Sequence, residues 1–184
     1  MDFTEKVKSD RVLYDGHILR LHQQVVELPN GKPAEREIVE HHGAVAILAL
    51  ADLEHAYFVR QWRSPLAHET WEIPAGKIDP LETDPLAVAK RELNEEIGQS
   101  AYQWQLLSRF YSSPGFATEK MSLYLAQDLQ PIAHKRSLDA DEFLEVKLFT
   151  LPEINAYLTS SDFIDGKTLL AVQYWQQLVG GQHE

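Results

Sequence analysis

The sequence predicts an α+β fold, and three observations support this class. Several short segments with alternating or continuous apolar residues have the length and composition of β-strands. Segments with helical spacing lie among them, and the best defined runs from Leu86 to Ile97. The two kinds of segment do not follow the regular βαβ alternation that predicts a parallel sheet. With 184 residues, 44% of them hydrophobic, the chain is long enough for one sizeable core.

The N-terminal part of the chain predicts a β-hairpin. The segment "ILRLHQQVVEL" alternates partly, as a strand does, and "EREIVEH" has the composition of a returning strand. Between them, Asn30-Gly31 favours a tight turn because both residues tolerate positive φ. We therefore expect a hairpin subdomain in residues 1–42, which exposes apolar residues such as Val25, Val26 and Leu28, and a main domain in residues 43–184.

Further strands are predicted along the rest of the chain. The continuous apolar run "GAVAILALA" predicts a buried central strand. Four more segments have strand character: "AYFVRQWR", "YQWQLLSRFY", "MSLYLAQDL" and "FLEVKLFTL". We expect a loop that leaves a short strand at "ETWEIPAGKIDP", since this segment contains two prolines and a glycine, and another loop at "SSPGFATEK".

One helix has clear signals at both ends. Asp84 is expected to be its N-cap and Pro85 its first residue. Leu93 lies at the centre of the predicted buried face, and Gly98 is expected to end the helix in the left-handed conformation. Two further helices are predicted at "PEINAYLTS" and "GKTLLAVQYWQQLV".

Composition excludes several functions. The formal net charge of −11 argues against non-specific binding to nucleic acid or to an anionic membrane surface. The absence of cysteine excludes disulfides, thiol catalysis and cysteine-ligated metal centres. No apolar run approaches the roughly 18 residues of a membrane span, and the N-terminus lacks an apolar targeting segment. We expect a cytoplasmic protein with neither a nucleic-acid nor a membrane partner.

The predicted helix carries an unusual cluster of carboxylates. Its sequence "KRELNEEIG" contains Glu92, Glu95 and Glu96, although like charges one turn apart cost about 0.2–0.5 kcal/mol. A solvated acidic face is the commoner explanation for such a cluster. Here a Gly/Pro loop that can offer a backbone carbonyl precedes the helix, and carboxylates with a carbonyl are the hard oxygen ligands that Mg²⁺ or Mn²⁺ prefers. Arg91 points away from the Leu93 face, where it can hold a carboxylate in place.

The segment that contains this helix resembles the Nudix box, G-x5-E-x7-R-E-U-x-E-E-x-G-U, where U is a bulky aliphatic residue. In "GKIDPLETDPLAVAKRELNEEIG", residues 76–98, the matching positions are Gly76, Glu82, Arg91, Glu92, Leu93, Glu95, Glu96 and Gly98. There are two departures: eight residues separate Glu82 from Arg91, and Gln99 occupies the last aliphatic position. The inserted residue leaves the role of Glu82 open.

Segments outside the box are similar to the ADP-ribose pyrophosphatase branch of the Nudix hydrolases. Pro114 lies sixteen residues beyond Gly98, the spacing typical of that branch. The segments "EREIVEHHGAVAIL", "VRQWR", "WEIPAG", "DADEFLEV" and "DGKTLLAVQYW" also resemble its members. The resemblance implies a Nudix fold, with a mixed β-sheet sandwiched between helices and an N-terminal hairpin that pairs subunits into a homodimer. It also implies hydrolysis of ADP-ribose to AMP and ribose 5-phosphate.

The same resemblance assigns roles to individual residues. Glu92, Glu96 and the Ala75 carbonyl match the family's metal ligands, and Glu95 would complete a site for two or three Mg²⁺ or Mn²⁺ ions. Glu142 matches a glutamate that binds metal or acts as catalytic base, although Asp139, Asp141 and Glu142 otherwise look like a solvated turn. The catalytic group would then comprise Glu142, Glu95 and Glu92, since the residues alone do not decide which carboxylate is the base.

Substrate contacts are implied for Arg36, Arg63 and Pro114. A guanidinium can grip a pyrophosphate in fork geometry, but an exposed strand arginine is as often simply solvated. Trp62 can stack on a base, although a strand tryptophan is more often part of the core. No His-x3-His spacing accompanies His41-His42, so we interpret this pair as structural; Met121 and Tyr174-Trp175 are interpreted as packing residues.

Two alternatives to ADP-ribose hydrolysis stay open at this point. The first is a Nudix hydrolase of another nucleoside diphosphate sugar, such as a GDP-sugar, or of a dinucleoside polyphosphate. The second is a Nudix-fold binding module without catalysis, which would be expected to lose box carboxylates or gain a DNA-binding segment. The intact carboxylates and the lack of a basic helix-turn-helix pattern favour an enzyme.

Overall fold

The computed structural model describes residues 2–138, 142–162 and 164–181. Its helices and strands confirm the α+β class. The chain forms two compact units. One contains the described residues of Met1–Gly43 together with Phe110–Met121, and the other contains those of Ala44–Arg109 and Ser122–Glu184. The predicted boundary at residue 42 stays a prediction.

The first unit contains a three-stranded antiparallel sheet in the order β1-β2-β3. Its strands are β1 (Lys6–Asp15), β2 (Leu19–Glu27) and β3 (Pro33–His41). The predicted turn joins β2 to β3, with Gly31 at φ 79° and its N–H donating to the Leu28 carbonyl over 2.8 Å. The hairpin is therefore confirmed.

The sequence did not predict β1. Every residue of this strand is exposed, and charged residues interrupt its apolar ones, so no buried face marks it as a strand. Side chains across the sheet hold it in place instead. His22 on β2 lies 2.9 Å from Asp10 on β1 and 2.9 Å from Glu40 on β3, and these two carboxylates raise the pKa of His22.

The apolar residues that this unit exposes also differ from the expected ones. Val26 is buried, and Val25 and Leu28 are half-buried. The exposed apolar side chains lie mainly on the unpredicted strand and beside it, and include Phe3, Val7, Val12, Leu13, Tyr14 and Ile18.

The remaining strands and the helices follow in chain order. The strands are β4 (Ala44–Ala49), β5 (His55–Arg63), β6 (His68–Glu72), β7 (Ala75–Lys77), β8 (Gln99–Tyr111), β9 (Lys120–Pro131) and β10 (Glu145–Thr150). The helices are α1 (Pro85–Ile97), α2 (Leu151–Ser160) and α3 (Gly166–Gly180). Two sheets result, in the orders β10-β5-β6 and β7-β4-β9-β8.

In "ETWEIPAGKIDP" the expected short strand is present as β6, but the expected loop after it contains a further strand, β7. Strand β6 ends at Glu72, within this segment. Strand β7 begins at Ala75, directly after Pro74. Backbone pairing outweighs the breaker residues here, because Ala75 lies opposite Ala46 of β4 and the Ile47 N–H donates to the Pro74 carbonyl over 2.8 Å.

The core of the second unit surrounds β4. All six residues of this strand are buried, so it is covered on both faces, as expected for a central strand. Helices α1 and α3 both pack against it. The buried side of α1, including Val88 and Leu93, belongs to the same hydrophobic cluster as Val45 and Ile47 of the strand. Among the described residues, no helix is long and apolar enough to cross a membrane.

Candidate active site

Helix α1 carries two nearly buried glutamates. Its ends are as predicted: the Asp84 carboxylate accepts a hydrogen bond from the Leu86 N–H over 3.0 Å, and Gly98 adopts φ 68°. Along the helix, Glu92 is 6% exposed and Glu96 only 2%. An acidic face that served only for solubility would be exposed, so this burial contradicts the simplest explanation of the cluster.

Strand β7 lies against these two side chains. The Ala75 N–H donates to a carboxylate oxygen of Glu96 over 3.2 Å. Gly76 makes an even closer approach: a Cβ atom at this position would lie 1.8 Å from Oε1 of Glu92. The first glycine of the box is therefore needed because the Glu92 side chain occupies the space of a side chain at residue 76.

Arg91 organises the more exposed carboxylates of the helix. Its guanidinium donates to Glu95 over 2.7 Å and lies 2.9 Å from Oε1 of Glu92. It also donates to Glu82 over 3.2 Å, and Glu82 accepts the Asp79 N–H over 3.0 Å. The expected role of Arg91 is confirmed. Glu82 reaches it despite the inserted residue, and both of its carboxylate oxygens are engaged in these contacts.

The electrostatics of the buried pair are unfavourable for two negative charges. Burial raises the pKa of Glu96 well above its ordinary value, and the charges of Glu92 and Glu142 raise it further. Burial likewise raises the pKa of Glu92 to about 7, because the opposing effect of Arg91 is too small to offset it. Arg91 balances the charge of this pair only in part, at Glu92, so an added cation would stabilise it.

The charge of Glu142 acts on this pair, and its role as metal ligand or catalytic base stays a prediction. Its charge contributes to the raised pKa of both Glu92 and Glu96, so the half-buried residue reaches the same electrostatic environment although it is distant in sequence. Its neighbours Asp139 and Asp141, which we also considered, lie outside the described residues.

The residues present fit a divalent cation. Hard carboxylate oxygens lie beside a backbone segment, and their buried charge lacks a full counter-ion. Within residues 2–138, 142–162 and 164–181, no three His, Cys, Asp or Glu side chains form a ready metal-binding group. The remaining ligands would therefore come from a backbone carbonyl, for which Ala75 is the candidate, and from water.

The candidate substrate residues fall in both units. In the second unit, Arg63 donates to the buried Glu72 through Nε over 2.7 Å and Nη2 over 2.5 Å. In the first unit, Arg36 donates to Glu5 over 2.9 Å, and the exposed Pro114 lies in a turn that the Ala117 N–H closes onto the Ser113 carbonyl. Their roles in substrate binding stay predictions.

Other residues weighed from the sequence have clear environments. Trp62 is 59% exposed, so its interpretation as a core residue is wrong. His41 accepts the Gly43 N–H at Nδ1 over 3.0 Å. Met121 and Trp175 are buried, in agreement with their interpretation as packing residues.

Sequence reasoning missed three charged residues around the site. Glu72, at the end of β6, and Lys167, in the first turn of α3, form a buried ion pair. Lys135 donates to the Glu96 carbonyl over 2.7 Å, at the C-terminal end of α1 where a cation is favoured. Only Glu72 had a sequence signal, as a lone carboxylate in the apolar segment "WEIPAG".

Comparisons with known proteins agree with this geometry. The NUDIX domain family matches residues 40–170, and the nucleoside diphosphate sugar hydrolase N-terminal domain matches residues 5–39. The chain is 43% identical over 172 residues to an ADP-ribose pyrophosphatase of Bacillus subtilis, covering 94% of this chain and 92% of that protein. It is 41% identical over 174 residues to a methanol dehydrogenase activator of Bacillus methanolicus, covering 95% and 94%.

A solved structure supports the fold. A crystal structure of an ADP compounds hydrolase matches with a TM-score of 0.84 at 23% identity, covering 99% of this chain and 98% of that one. A family match over most of the chain, relatives above 40% identity along nearly all of it, and the buried box carboxylates together establish membership: this chain belongs to the Nudix family.

Proposed function

We propose that this chain hydrolyses the pyrophosphate bond of ADP-ribose and releases AMP and ribose 5-phosphate. The observation that carries the proposal is the buried pair Glu92 and Glu96 against Ala75-Gly76, in a chain 43% identical to an ADP-ribose pyrophosphatase over nearly its whole length. A buried carboxylate pair whose charge is balanced only in part destabilises a fold unless it has a function that offsets its cost.

Divalent metal belongs to this proposal, since Nudix hydrolases generally depend on it. Glu92, Glu96 and the Ala75 carbonyl would hold Mg²⁺ or Mn²⁺, and Glu95 would join them in a site for two or three ions. When bound, such ions neutralise charge on the pyrophosphate and make a water molecule more acidic. Arg91 would hold two of these ligands in position, because its guanidinium pairs with Glu95 and with one oxygen of Glu92.

The proton acceptor for the attacking water is a carboxylate of this chain. We favour Glu142, because its charge reaches Glu92 and Glu96 although it is outside the helix that carries them. Glu95 and Glu92 are the alternatives. Glu95 is held by Arg91, which limits its freedom to approach a water molecule.

Arg63, Arg36 and Pro114 are the proposed substrate contacts. Arg63 has the strongest support, because Glu72, three residues before Ala75, holds its guanidinium while the side chain stays 38% exposed. A guanidinium held in this way can pair with an anionic group of a substrate.

The test is hydrolysis by the purified protein alone, with the products identified by mass. We expect AMP and ribose 5-phosphate from ADP-ribose, with higher kcat/KM than for GDP-sugars or dinucleoside polyphosphates. A Glu96→Gln protein purified in the same way controls for a contaminating hydrolase. Preference for a GDP-sugar would keep the Nudix chemistry and overturn the substrate.

A second candidate is regulation of another enzyme. The 41% identity to a methanol dehydrogenase activator favours it, since this relative is almost as similar as the pyrophosphatase. The intact box carboxylates favour hydrolysis in either case. Absence of turnover on every pyrophosphate substrate, together with stimulation of a dehydrogenase by the Glu96→Gln protein, would establish the second function over the first.

A homodimer through the N-terminal region is also proposed. Support comes from the exposed apolar side chains of β1, including Val7, Val12 and Tyr14, which a partner subunit could bury. The match of residues 5–39 to a domain of nucleoside diphosphate sugar hydrolases marks this region as a recurring part of such proteins. The cytoplasmic location stays a prediction.

A further inference from the structure

Glu72 is a buried carboxylate that the proposed chemistry does not use. It is 1% exposed, and both of its oxygens accept several hydrogen bonds. Arg63 donates to one oxygen through Nε over 2.7 Å and to the other through Nη2 over 2.5 Å. The Thr70 hydroxyl and the Lys167 ammonium complete the set. Full satisfaction of this kind rigidifies every group that takes part.

The backbone joins this cluster to the candidate metal ligands, because Glu72 lies three residues before Ala75, whose N–H donates to Glu96 over 3.2 Å. The charge of Glu96 contributes to the raised pKa of Arg63, and the charge of Lys167 opposes the rise in the pKa of Glu96. A hydrogen bond also connects this segment to α3, the helix that carries Lys167. The N–H of Ile73, two residues before Ala75, donates to the Thr168 hydroxyl over 3.0 Å. Glu72 therefore holds two cations at the edge of the candidate active site.

The hydrogen bonds determine which part of Arg63 is free. A guanidinium has five N–H donors in a planar fork. Glu72 occupies the side that carries Nε and Nη2, while Nη1 has no hydrogen-bond partner within the described part of the chain. The Arg63 side chain is 38% exposed, so its free end is accessible to a ligand.

Lys167 is the second counter-ion of Glu72. Its ammonium also lies 3.0 Å from Asp165, so two cations and two carboxylates are present in the cluster. Burial would raise the pKa of Glu72, but Arg63 and Lys167 outweigh it and lower that pKa to about 2. Glu72 is therefore ionised at neutral pH, as its role as an anchor requires.

We propose that Glu72, with Lys167 as its second counter-ion, is a positioning residue that fixes the Arg63 guanidinium so that its Nη1 end faces an anionic group of the substrate. The inference rests on the proposed pyrophosphatase function and deepens it. Glu72 acts through Arg63 and does not contact the substrate itself. Its contribution is to order a long side chain before binding, which would otherwise cost affinity.

The test separates binding from chemistry. Ordering one long side chain is worth about two- to tenfold in affinity, so we expect Glu72→Gln to raise KM for ADP-ribose by that factor and to leave kcat nearly unchanged. The substitution leaves two cations facing a neutral amide and can disturb folding. The double variant Glu72→Gln with Lys167→Met removes one charge of each sign, and the same rise in KM is expected from it.

Two controls identify Arg63 as the intermediary. Glu145→Gln breaks an exposed ion pair with Arg60, which lies on β5 as Arg63 does, and it should leave KM unchanged. In an Arg63→Ala background, which by itself should raise KM, the Glu72 substitution should have almost no further effect.

Three results would overturn the proposal. They are an unchanged KM in a folded Glu72 variant, an undiminished effect of that variant in the Arg63→Ala background, and an Arg63→Ala protein with normal KM. In each of them the unaltered protein still hydrolyses ADP-ribose, so the proposed function survives. Absence of that hydrolysis would overturn both.

Discussion

Substitution of Gly76 by alanine tests the geometry of the candidate active site directly. A Cβ atom at this position would lie 1.8 Å from Oε1, 1.9 Å from Cδ and 2.5 Å from Cγ of Glu92. Ordinary van der Waals contact begins at 3.4 Å, so the carboxylate must move by about 1.6 Å. Because Cγ is also too close, rotation of the carboxylate alone cannot relieve the overlap.

The expected loss follows from that displacement. A misplacement of about 1 Å at a reacting centre can cost about 10²-fold in rate, so we expect kcat/KM of Gly76→Ala to fall by at least that factor. Displacement of a ligand should also weaken metal binding, and half-saturation should require a higher Mg²⁺ or Mn²⁺ concentration. The free energy of unfolding should fall by only about 1–3 kcal/mol, the usual cost of overpacking.

The assay is the metal dependence of ADP-ribose hydrolysis, with Mn²⁺ binding measured separately by calorimetry. Gly180→Ala provides a matched control, because a Cβ atom there meets nothing within 4 Å and the residue ends α3. A Gly76→Ala protein with wild-type metal affinity and kcat would refute the conclusion that this glycine makes room for Glu92.

Four further outcomes are expected. Exhaustive EDTA treatment should abolish turnover and added Mg²⁺ should restore it; activity that persists would remove the metal mechanism. Burial raises the pKa of Glu96 above its ordinary value of 4.5, so the folded protein binds more protons than the unfolded one, and the stability of the metal-free protein should fall as pH rises above 4.5. Thermal unfolding of Glu96→Gln should show a smaller fall, and identical pH profiles would contradict the shift. Glu142→Gln should lower kcat about 10²–10⁴-fold with little change in KM, whereas a loss confined to Asp141→Asn would transfer the role of base. Light scattering should show a dimer at assay concentration, and an active monomer would exclude one.

The sequence predicted the helix of the site well because its signals are local. Asp84 and Gly98 mark its ends by side-chain capping and by positive φ, and neither signal depends on distant residues. The periodicity of Leu93 and its neighbours likewise identified the buried face. For the same reason β4 was predicted as a central strand, since a fully buried strand is apolar at every position.

Features that depend on contacts between distant residues were not predictable. The exposed strand β1 has no apolar periodicity, and it is held by pairing with β2 and by cross-strand ion pairs. The pair of Glu72 and Lys167 brings together residues 95 positions apart, and neither residue type is expected in a buried environment. Residue identities can therefore locate the ligands of a metal site more easily than the groups that hold those ligands in place.

The second unit contains buried carboxylates whose pKa values are shifted in opposite directions. Arg63 and Lys167 balance the charge of Glu72 and lower its pKa. The stability that the ionised Glu72 contributes is therefore present above the ordinary pKa of 4.5 and is lost as the pH falls toward 2. Glu92 and Glu96 are buried to a similar degree, yet their pKa values are raised. Since Arg63 and Lys167 balance the charge of the first carboxylate within the same unit, while Arg91 balances that of Glu92 only in part, the raised pKa values of the other two are a local property and not a general result of burial. That difference is what a site reserved for an added cation requires: the free energy that the folded chain loses by holding two carboxylates together is recovered when a divalent ion binds.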